Sequence, residues 1–292
     1  MACKLQSGGM SILPGALVSS PWLAEHLDDV RVIEATAYLD PPIREGKPYH
    51  PRAGRAEYDA GHIPGAAFAD LVDGLAEPDP ELNFTFPSPE RFAAGMSALG
   101  VEDGTPVVIY DRNGMMWATR LWWLLRAYGF DDAAVLDGGF DAWVAEGRPV
   151  STDPAPERSA AFTPRPRPEA MAGLDEVADG PACLLNALSP AVFRGEQNRY
   201  GRAGRIPGSV NVYAHSIIDP GTHRLLPADE LRERFAAVGA LNGERVVAYC
   251  GAGVSATLDA FALTLLGARD VAVYDGSMAE WITDPERPLL QG

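Results

Sequence analysis

The chain has 292 residues, of which 47% are hydrophobic, and a formal net charge of −16 at pH 7. This length suits two domains of ordinary size with packed cores. The charge argues against nucleic acid as a partner, because phosphate binding needs clustered Lys and Arg. No run of about 18 apolar residues occurs, so neither a membrane span nor a membrane partner is predicted.

The chain holds three cysteines, Cys3, Cys183 and Cys250. Their number is odd and the N-terminus lacks the signal-peptide pattern, so we expect reduced thiols and a cytoplasmic location. None of them belongs to a Cys/His cluster with metal-ligand spacing, and neither a metal nor an organic cofactor is expected.

The first half is predicted to alternate strands and helices. Residues 1–15 are interpreted as a disordered extension, and 16–150 as the first domain. The short apolar runs VRVIEA, PVVIYD and AAVLDG are typical of strands buried on both faces of a parallel sheet. PSPERFAAGMSALG and WATRLWWLLRAYG have helical patterns that end on glycine.

The second half repeats this order. Residues 151–170 are rich in Pro and Ala and are predicted to be a linker, and 171–292 form the second domain. Three blocks recur at nearly the same offset: 62–65 with 205–208, 107–111 with 246–250, and 137–143 with 275–281. Such a repeat indicates one fold used twice. The predicted fold is α/β, with two tandem domains that each have a parallel sheet flanked by helices.

Cys250 follows the predicted strand RVVAYC and precedes the helix SATLDAFALTLL. Active sites of open α/β sheets lie outside the carboxyl ends of the strands. Glycines allow backbone N–H groups to turn toward an anion, and a helix N-terminus adds partial positive charge, so both favour a thiolate. The predicted anion-binding groups belong to the loop residues Gly251, Ala252, Gly253, Val254, Ser255 and Ala256.

The alternative for any free cysteine is that it is a small buried hydrophobic residue. We assign that role to Cys183, inside the predicted strand ACLLNA. Cys250 differs because two glycines follow it within three residues, whereas the first half has Asp111 at the equivalent place. We therefore predict that Cys250 is the single nucleophile and that the first half is inactive.

The blocks HIPGA, CGAGVSA and YDGS, the last followed by Glu280-Trp281, resemble the rhodanese family. The tandem arrangement is similar to the 3-mercaptopyruvate and thiosulfate sulfurtransferases. This resemblance implies transfer of a sulfane sulfur through a persulfide on Cys250 to a thiol acceptor, such as thioredoxin or a low-molecular-weight thiol, or to cyanide. The neutral pair Gly251-Ala252 favours 3-mercaptopyruvate as the small anionic donor, and thiosulfate is the alternative.

The resemblance also implies a pair of arginines for the substrate carboxylate. Val192 stands at the first arginine's place, so Arg194 and Arg199 are the candidates here. His62 of the first half is a candidate contributor to the site, against the alternative of a turn-stabilising hydrogen bond.

Two other functions were considered from the residues. A cysteine phosphatase would need an arginine six residues after the nucleophile, where this chain has Ala256. A non-catalytic binding module would have no need of Cys250 in an intact loop. Both are disfavoured against a sulfurtransferase.

Overall fold

The structure is a computed structural model, and it describes residues 11–43, 47–79 and 81–292. Cys3 and residues 1–10 of the predicted extension lie outside the described residues. Residues 11–15 contain no helix or strand.

The first half contains seven strands and five helices among its described residues. In chain order they are β1 (Leu17–Val18), α1 (Ser20–Glu25), β2 (Arg31–Glu34), β3 (Ala37–Asp40), β4 (His50–Ala53), α2 (Arg55–Ala60), β5 (Ala67–Phe68), α3 (Pro89–Ala98), β6 (Val107–Tyr110), α4 (Met116–Ala127), β7 (Ala133–Leu136) and α5 (Gly139–Ala145).

The second half contains five strands, five α-helices and two short 3₁₀ turns among its described residues. The turns are Pro168–Ala170 and Ala214–Ile217. The other elements are β8 (Met171–Ala172), α6 (Leu174–Asp179), β9 (Cys183–Asn186), α7 (Pro190–Phe193), β10 (Ser209–Asn211), α8 (Ala228–Ala237), β11 (Val246–Tyr249), α9 (Ala256–Leu265), β12 (Val271–Tyr274) and α10 (Ser277–Trp281).

Each half builds one five-stranded parallel sheet. The strand order is β1-β7-β6-β2-β5 in the first half and β10-β9-β11-β12-β8 in the second. Matching the strands by the sequence repeat makes these orders the same. The first half adds the antiparallel hairpin of β3 and β4. The predicted α/β fold with two parallel sheets is confirmed.

The sequence explains why these elements form where they do. Every residue of β2, β6, β7, β9, β11 and β12 is buried, as expected for strands covered by helices on both faces. At the start of α3, the Ser88 hydroxyl accepts a hydrogen bond from the Arg91 backbone and Pro89 occupies the first turn. These caps position helices beside the ends of the strands.

The two halves pack through α4 and α9, which are the helices that follow the two equivalent loops. The indole of Trp122 meets the ring of Phe261 edge to face, with centroids 4.8 Å apart. The hydroxyls of Thr119 and Thr257 are 3.1 Å apart. Because these helices start at the loops, their contact brings the two loops to one interface.

The predicted linker runs along the first half. Residues 154–167 contain no helix or strand. The amides of Arg165 and Arg167 donate to the carbonyls of Tyr128 and Ala127, at 2.8 and 2.7 Å. No helix among the described residues has the length and apolarity that crossing a membrane requires.

Candidate active site

Cys250 lies directly after β11, where the carboxyl ends of the parallel strands meet. It is 2% exposed. The following loop needs both glycines: a Cβ on Gly251 would lie 2.0 Å from the Tyr200 hydroxyl, and Gly253 has a φ of +69°. At Gly253 a Cβ would also come within 2.7 Å of an Asp275 carboxylate oxygen. Larger residues would displace the loop from the cysteine.

Ser277 holds the loop from the side of the sheet. Its hydroxyl accepts hydrogen bonds from the amides of Cys250 and Gly253, at 3.0 and 3.1 Å, and donates to the Tyr274 carbonyl at 2.8 Å. Ser277 has a φ of +51°, a left-handed conformation that is uncommon outside glycine. The equivalent residue of the first half is Gly139, with a φ of +55°. The second half therefore carries local backbone strain at Ser277, and this conformation places a hydroxyl beneath the cysteine loop.

The remaining N–H groups of the loop have no acceptor within the part of the chain that the structure describes. The amides of five loop residues make no hydrogen bond within the described ranges: Gly251, Ala252, Val254, Ser255 and Ala256. Backbone N–H groups near a buried residue are almost always paired. A group of unpaired amides at a helix N-terminus beside a cysteine is suited to an anion on that cysteine.

The equivalent loop of the first half already contains its anion. Each carboxylate oxygen of Asp111 accepts two hydrogen bonds: Oδ1 from the amides of Asn113 and Met115, at 2.9 and 3.0 Å, and Oδ2 from Trp117 and Ala118, at 2.8 and 2.9 Å. Burial raises the pKa of Asp111, and these four donors oppose that rise. By the sequence repeat, three of the four donors correspond to unpaired amides of the second loop.

Arg199 differs from Arg194, Arg202 and Arg205 in making neither a side-chain hydrogen bond nor an ion pair with the described residues. Its side chain is exposed and has no ion-pair partner among the described residues. Its charge opposes the burial that raises the pKa of both Tyr49 and Tyr200, and the negative charge of Cys250 strengthens that rise. The Tyr200 ring lies against the cysteine loop, where it would meet a Cβ on Gly251, and Arg199 precedes it in the chain.

The other arginines of the segment are engaged elsewhere. Arg194 pairs with Glu196 at the surface, with contacts of 2.6 and 3.0 Å. Arg202 donates to the carbonyls of Asp284 and Arg287, while Arg205 donates to the carbonyl of Gly292. No contact within the described residues brings Arg194 to the cysteine loop, so its expected role beside Arg199 stays a prediction, while its guanidinium pairs with Glu196.

His62 is also placed away from the cysteine loop. Its ring is buried and stacks on Tyr58, with centroids 4.0 Å apart. Its two nitrogens each lie 2.9 Å from a backbone carbonyl, those of Tyr58 and Asp153. These contacts fit the turn-stabilising alternative. A histidine near the interface is His215, and its pKa is lowered. Desolvation is the main cause, Asp111 opposes it, and Arg199 lowers the pKa further.

The sequence alone does not single out three residues near the cysteine, which are Tyr49, Tyr200 and Ser277. Tyr200 adjoins Arg199, and the cluster of arginines around it was the available signal. Tyr49 comes from the first half, immediately before β4, in a stretch with no periodic pattern. Ser277 belongs to the repeated block that had been noted only as a fold marker.

Cys183 lies in β9 and is buried. Burial raises the pKa of its thiol, with a smaller effect in the same direction from Glu244. Both influences keep the thiol protonated and unreactive.

Comparison with known proteins gives matches along most of the chain. The family described as Rhodanese-like domain matches residues 52–146 and 193–284. A thiosulfate/3-mercaptopyruvate sulfurtransferase of Arabidopsis thaliana is 36% identical, covering 94% of this chain and 86% of that protein. The 3-mercaptopyruvate sulfurtransferase of Rattus norvegicus is 33% identical, covering 95% and 96%.

A solved structure also matches the fold of this chain. SseA from Escherichia coli, described as a 3-mercaptopyruvate sulfotransferase with the rhodanese fold, superposes with a TM-score of 0.76 at 30% identity, over 90% of this chain and 98% of that one. Two matched domains and relatives of this identity along nearly the full length leave one conclusion: the chain belongs to the rhodanese family and is a sulfurtransferase enzyme.

Proposed function

We propose that this enzyme transfers a sulfane sulfur from 3-mercaptopyruvate to a thiol acceptor through a persulfide on Cys250. The observation that carries the proposal is the pair of equivalent loops. Asp111 uses four loop amides to hold a carboxylate, whereas the equivalent amides of Ala252, Val254 and Ala256 have no acceptor among the described residues. An anionic sulfur on Cys250 supplies the missing acceptor.

In the first step, the Cys250 thiolate attacks the sulfur of 3-mercaptopyruvate. The new S–S bond forms as the carbon–sulfur bond breaks, and its electron pair leaves as the enolate of pyruvate. That enolate takes a proton on carbon. The amides of Gly251, Ala252 and Val254 stabilise negative charge on the cysteine before the step and on the persulfide after it.

In the second step, the thiolate of the acceptor attacks the outer sulfur of the persulfide. The S–S bond breaks and Cys250 leaves as a thiolate, held again by the loop amides. Because Cys250 is 2% exposed, the acceptor must present a thiol that reaches into the site. A low-molecular-weight thiol or the protruding thiol of a thioredoxin-like protein suits this requirement. Such acceptors are abundant in a reducing compartment, in keeping with the proposed cytoplasmic location.

The choice of donor rests on the charges near Cys250. Thiosulfate is a dianion and would be favoured by basic side chains in the loop, but Gly251 and Ala252 are neutral. Arg199 supplies one cation, which matches the single carboxylate of 3-mercaptopyruvate. The phenols of Tyr49 and Tyr200 add uncharged donors in the same region. Thiosulfate remains the second candidate, as the double name of the Arabidopsis relative illustrates.

One experiment tests both the nucleophile and the donor. The enzyme is mixed with each donor without an acceptor, and the intact mass and peptide masses are measured over time. We expect one added sulfur atom on the Cys250 peptide, formed with a higher kcat/KM from 3-mercaptopyruvate than from thiosulfate.

Cys250→Ser is expected to lose persulfide formation and turnover by at least about a thousandfold, as for other covalent nucleophiles. Cys183→Ser is the matched control and should keep both. Retained turnover in Cys250→Ser would refute the assignment, and a reversed donor order would make the enzyme a thiosulfate sulfurtransferase.

A further inference from the structure

One side chain of the first half reaches the backbone of the cysteine loop. Arg120, on α4, is 2% exposed. Its Nη1 donates to the Gly253 carbonyl at 3.2 Å and pairs with the Asp275 carboxylate at 2.6 Å. Its Nη2 donates to the Phe84 carbonyl at 2.5 Å. Asp275 in turn accepts the amide of Phe86 at 2.8 Å, so both halves of the chain hold this guanidinium in place.

The bond to Gly253 fixes the direction of the next amide. A trans peptide is planar, and its C=O and N–H point to opposite sides. Holding the Gly253 carbonyl toward the first half therefore aims the Val254 N–H away from it. Gly253 has a φ of +69°, so this peptide would otherwise be free to rotate more widely than one flanked by larger residues.

The first loop shows where that amide is needed and why a clamp is absent there. Met115, the equivalent of Val254, donates its N–H to the Asp111 carboxylate at 3.0 Å. That carboxylate is permanent, so it orders the amides around it. Among the described residues the second loop has no fixed acceptor for the Val254 amide, so its peptide must be oriented from the carbonyl side.

We propose that Arg120 is a positioning residue, by which the inactive half orients the Val254 amide toward the sulfur on Cys250. This inference rests on the proposed role of Cys250 and adds a function for the first half. Arg120 contacts neither donor nor acceptor. It acts through the peptide between Gly253 and Val254. The packing of the two halves thereby influences the reactivity of Cys250.

The test must separate positioning from the general packing of the two halves. Replacing Arg120 alone would leave Asp275 buried without a cation. The variant is therefore the double substitution Arg120→Met, Asp275→Asn, which removes both charges and keeps an oxygen for the Phe86 amide. The control is Thr119→Val, which removes the hydroxyl contact between α4 and α9 without touching the peptide that follows Gly253.

Two rates are measured on the full chain without an acceptor. The first is alkylation of Cys250 by iodoacetamide across pH, followed on its peptide by mass spectrometry; the second is persulfide formation from 3-mercaptopyruvate. In the double variant we expect alkylation at pH 7 to fall about tenfold, its pH midpoint to move upward, and persulfide formation to fall roughly 10–100-fold, since one amide donor to a charged sulfur is lost. Thr119→Val should match the parent in both.

A folded double variant with the parent's alkylation profile and persulfide rate would overturn the proposal. If the double variant does not fold, Arg120→Lys decides, because one ammonium keeps the charge beside Asp275 but lacks the planar fork that also serves the Gly253 and Phe84 carbonyls. A parental alkylation profile in that variant would equally overturn it. Alkylation needs no donor, so these outcomes are independent of the Cys250→Ser test of the proposed function.

Discussion

The loops after β6 and β11 have the same backbone plan but opposite contents. In the first, the Asp111 carboxylate occupies four amides and completes the loop. In the second, Cys250 stands at the same position and the equivalent amides of Ala252, Val254 and Ala256 have no acceptor among the described residues. The same loop is thus used twice, once around a carboxylate of the chain itself and once beside Cys250, on which we propose an anionic sulfur.

This difference explains why we propose a nucleophile in the second half and none in the first. A loop that is filled by its own side chain is stable and inert. A loop that leaves its amides unpaired needs support from elsewhere, which Ser277 supplies from the sheet and Arg120 from the first half. Three experiments test this difference between the two loops.

The largest effect is expected from removing the Asp111 carboxylate from the first loop. Asp111→Ala leaves four buried or partly buried amides without an acceptor and should lower the free energy of unfolding by about 3–5 kcal/mol, since each unsatisfied buried donor costs about 1–3 kcal/mol. Urea unfolding followed by tryptophan fluorescence measures it well, because five of the six tryptophans lie in the first half.

Cys250→Ser is the matched change in the second loop. Its unfolding midpoint should stay close to that of the parent, since the amides there lose no acceptor. Equal destabilisation by the two substitutions would show that the loops do not differ in the way described.

The second experiment concerns Arg199, the cation that we propose binds the substrate carboxylate near the cysteine loop. Arg199→Ala should lower kcat/KM for 3-mercaptopyruvate roughly 10–150-fold, because a charge-assisted hydrogen bond is worth about 1.5–3 kcal/mol. Cyanide attack on a preformed persulfide should change far less, since that step has no carboxylate to bind.

Arg194→Ala makes the same change of charge five residues away. Its guanidinium is paired with Glu196 at the surface, and we expect parental kinetics. If Arg194→Ala and Arg199→Ala lower kcat/KM equally, the arginines act only through general attraction of an anion.

The smallest effect concerns Asp259 on α9, the position equivalent to Arg120 on α4. Neither of its carboxyl oxygens has a hydrogen-bond partner in the described part of the chain. Burial, followed by the charge of Cys250, raises its pKa well above the usual value. The folded protein therefore binds a proton there that the unfolded chain releases above about pH 4, so stability falls as pH rises through that range.

Asp259→Asn removes this titration. The excess of its free energy of unfolding over that of the parent should be roughly 1–3 kcal/mol larger at pH 7 than at pH 5. Urea unfolding at both pH values measures this. A difference that is the same at pH 5 and pH 7 would contradict a titrating Asp259.

Much of the site followed from the sequence because it is local. The strand ending at Cys250, the two glycines and the helix after them lie in one short segment, so their chemistry could be derived without long-range contacts. The repeat also placed Asp111 opposite Cys250. The roles of Arg194 and His62 could not be derived in this way, since Glu196, Tyr58 and Asp153 compete for them through contacts that only folding creates.

The sequence alone predicts two α/β domains and a candidate nucleophile, because hydrophobic periodicity and glycine positions act over a few residues. The strand order and the residues that surround Cys250 are known only from the folded chain. Tyr49 and Arg120 come from the other half of the chain, and packing of α4 on α9 brings them to the loop. The physical reason is that hydrogen bonds and charges depend on distance in space, which sequence separation does not report.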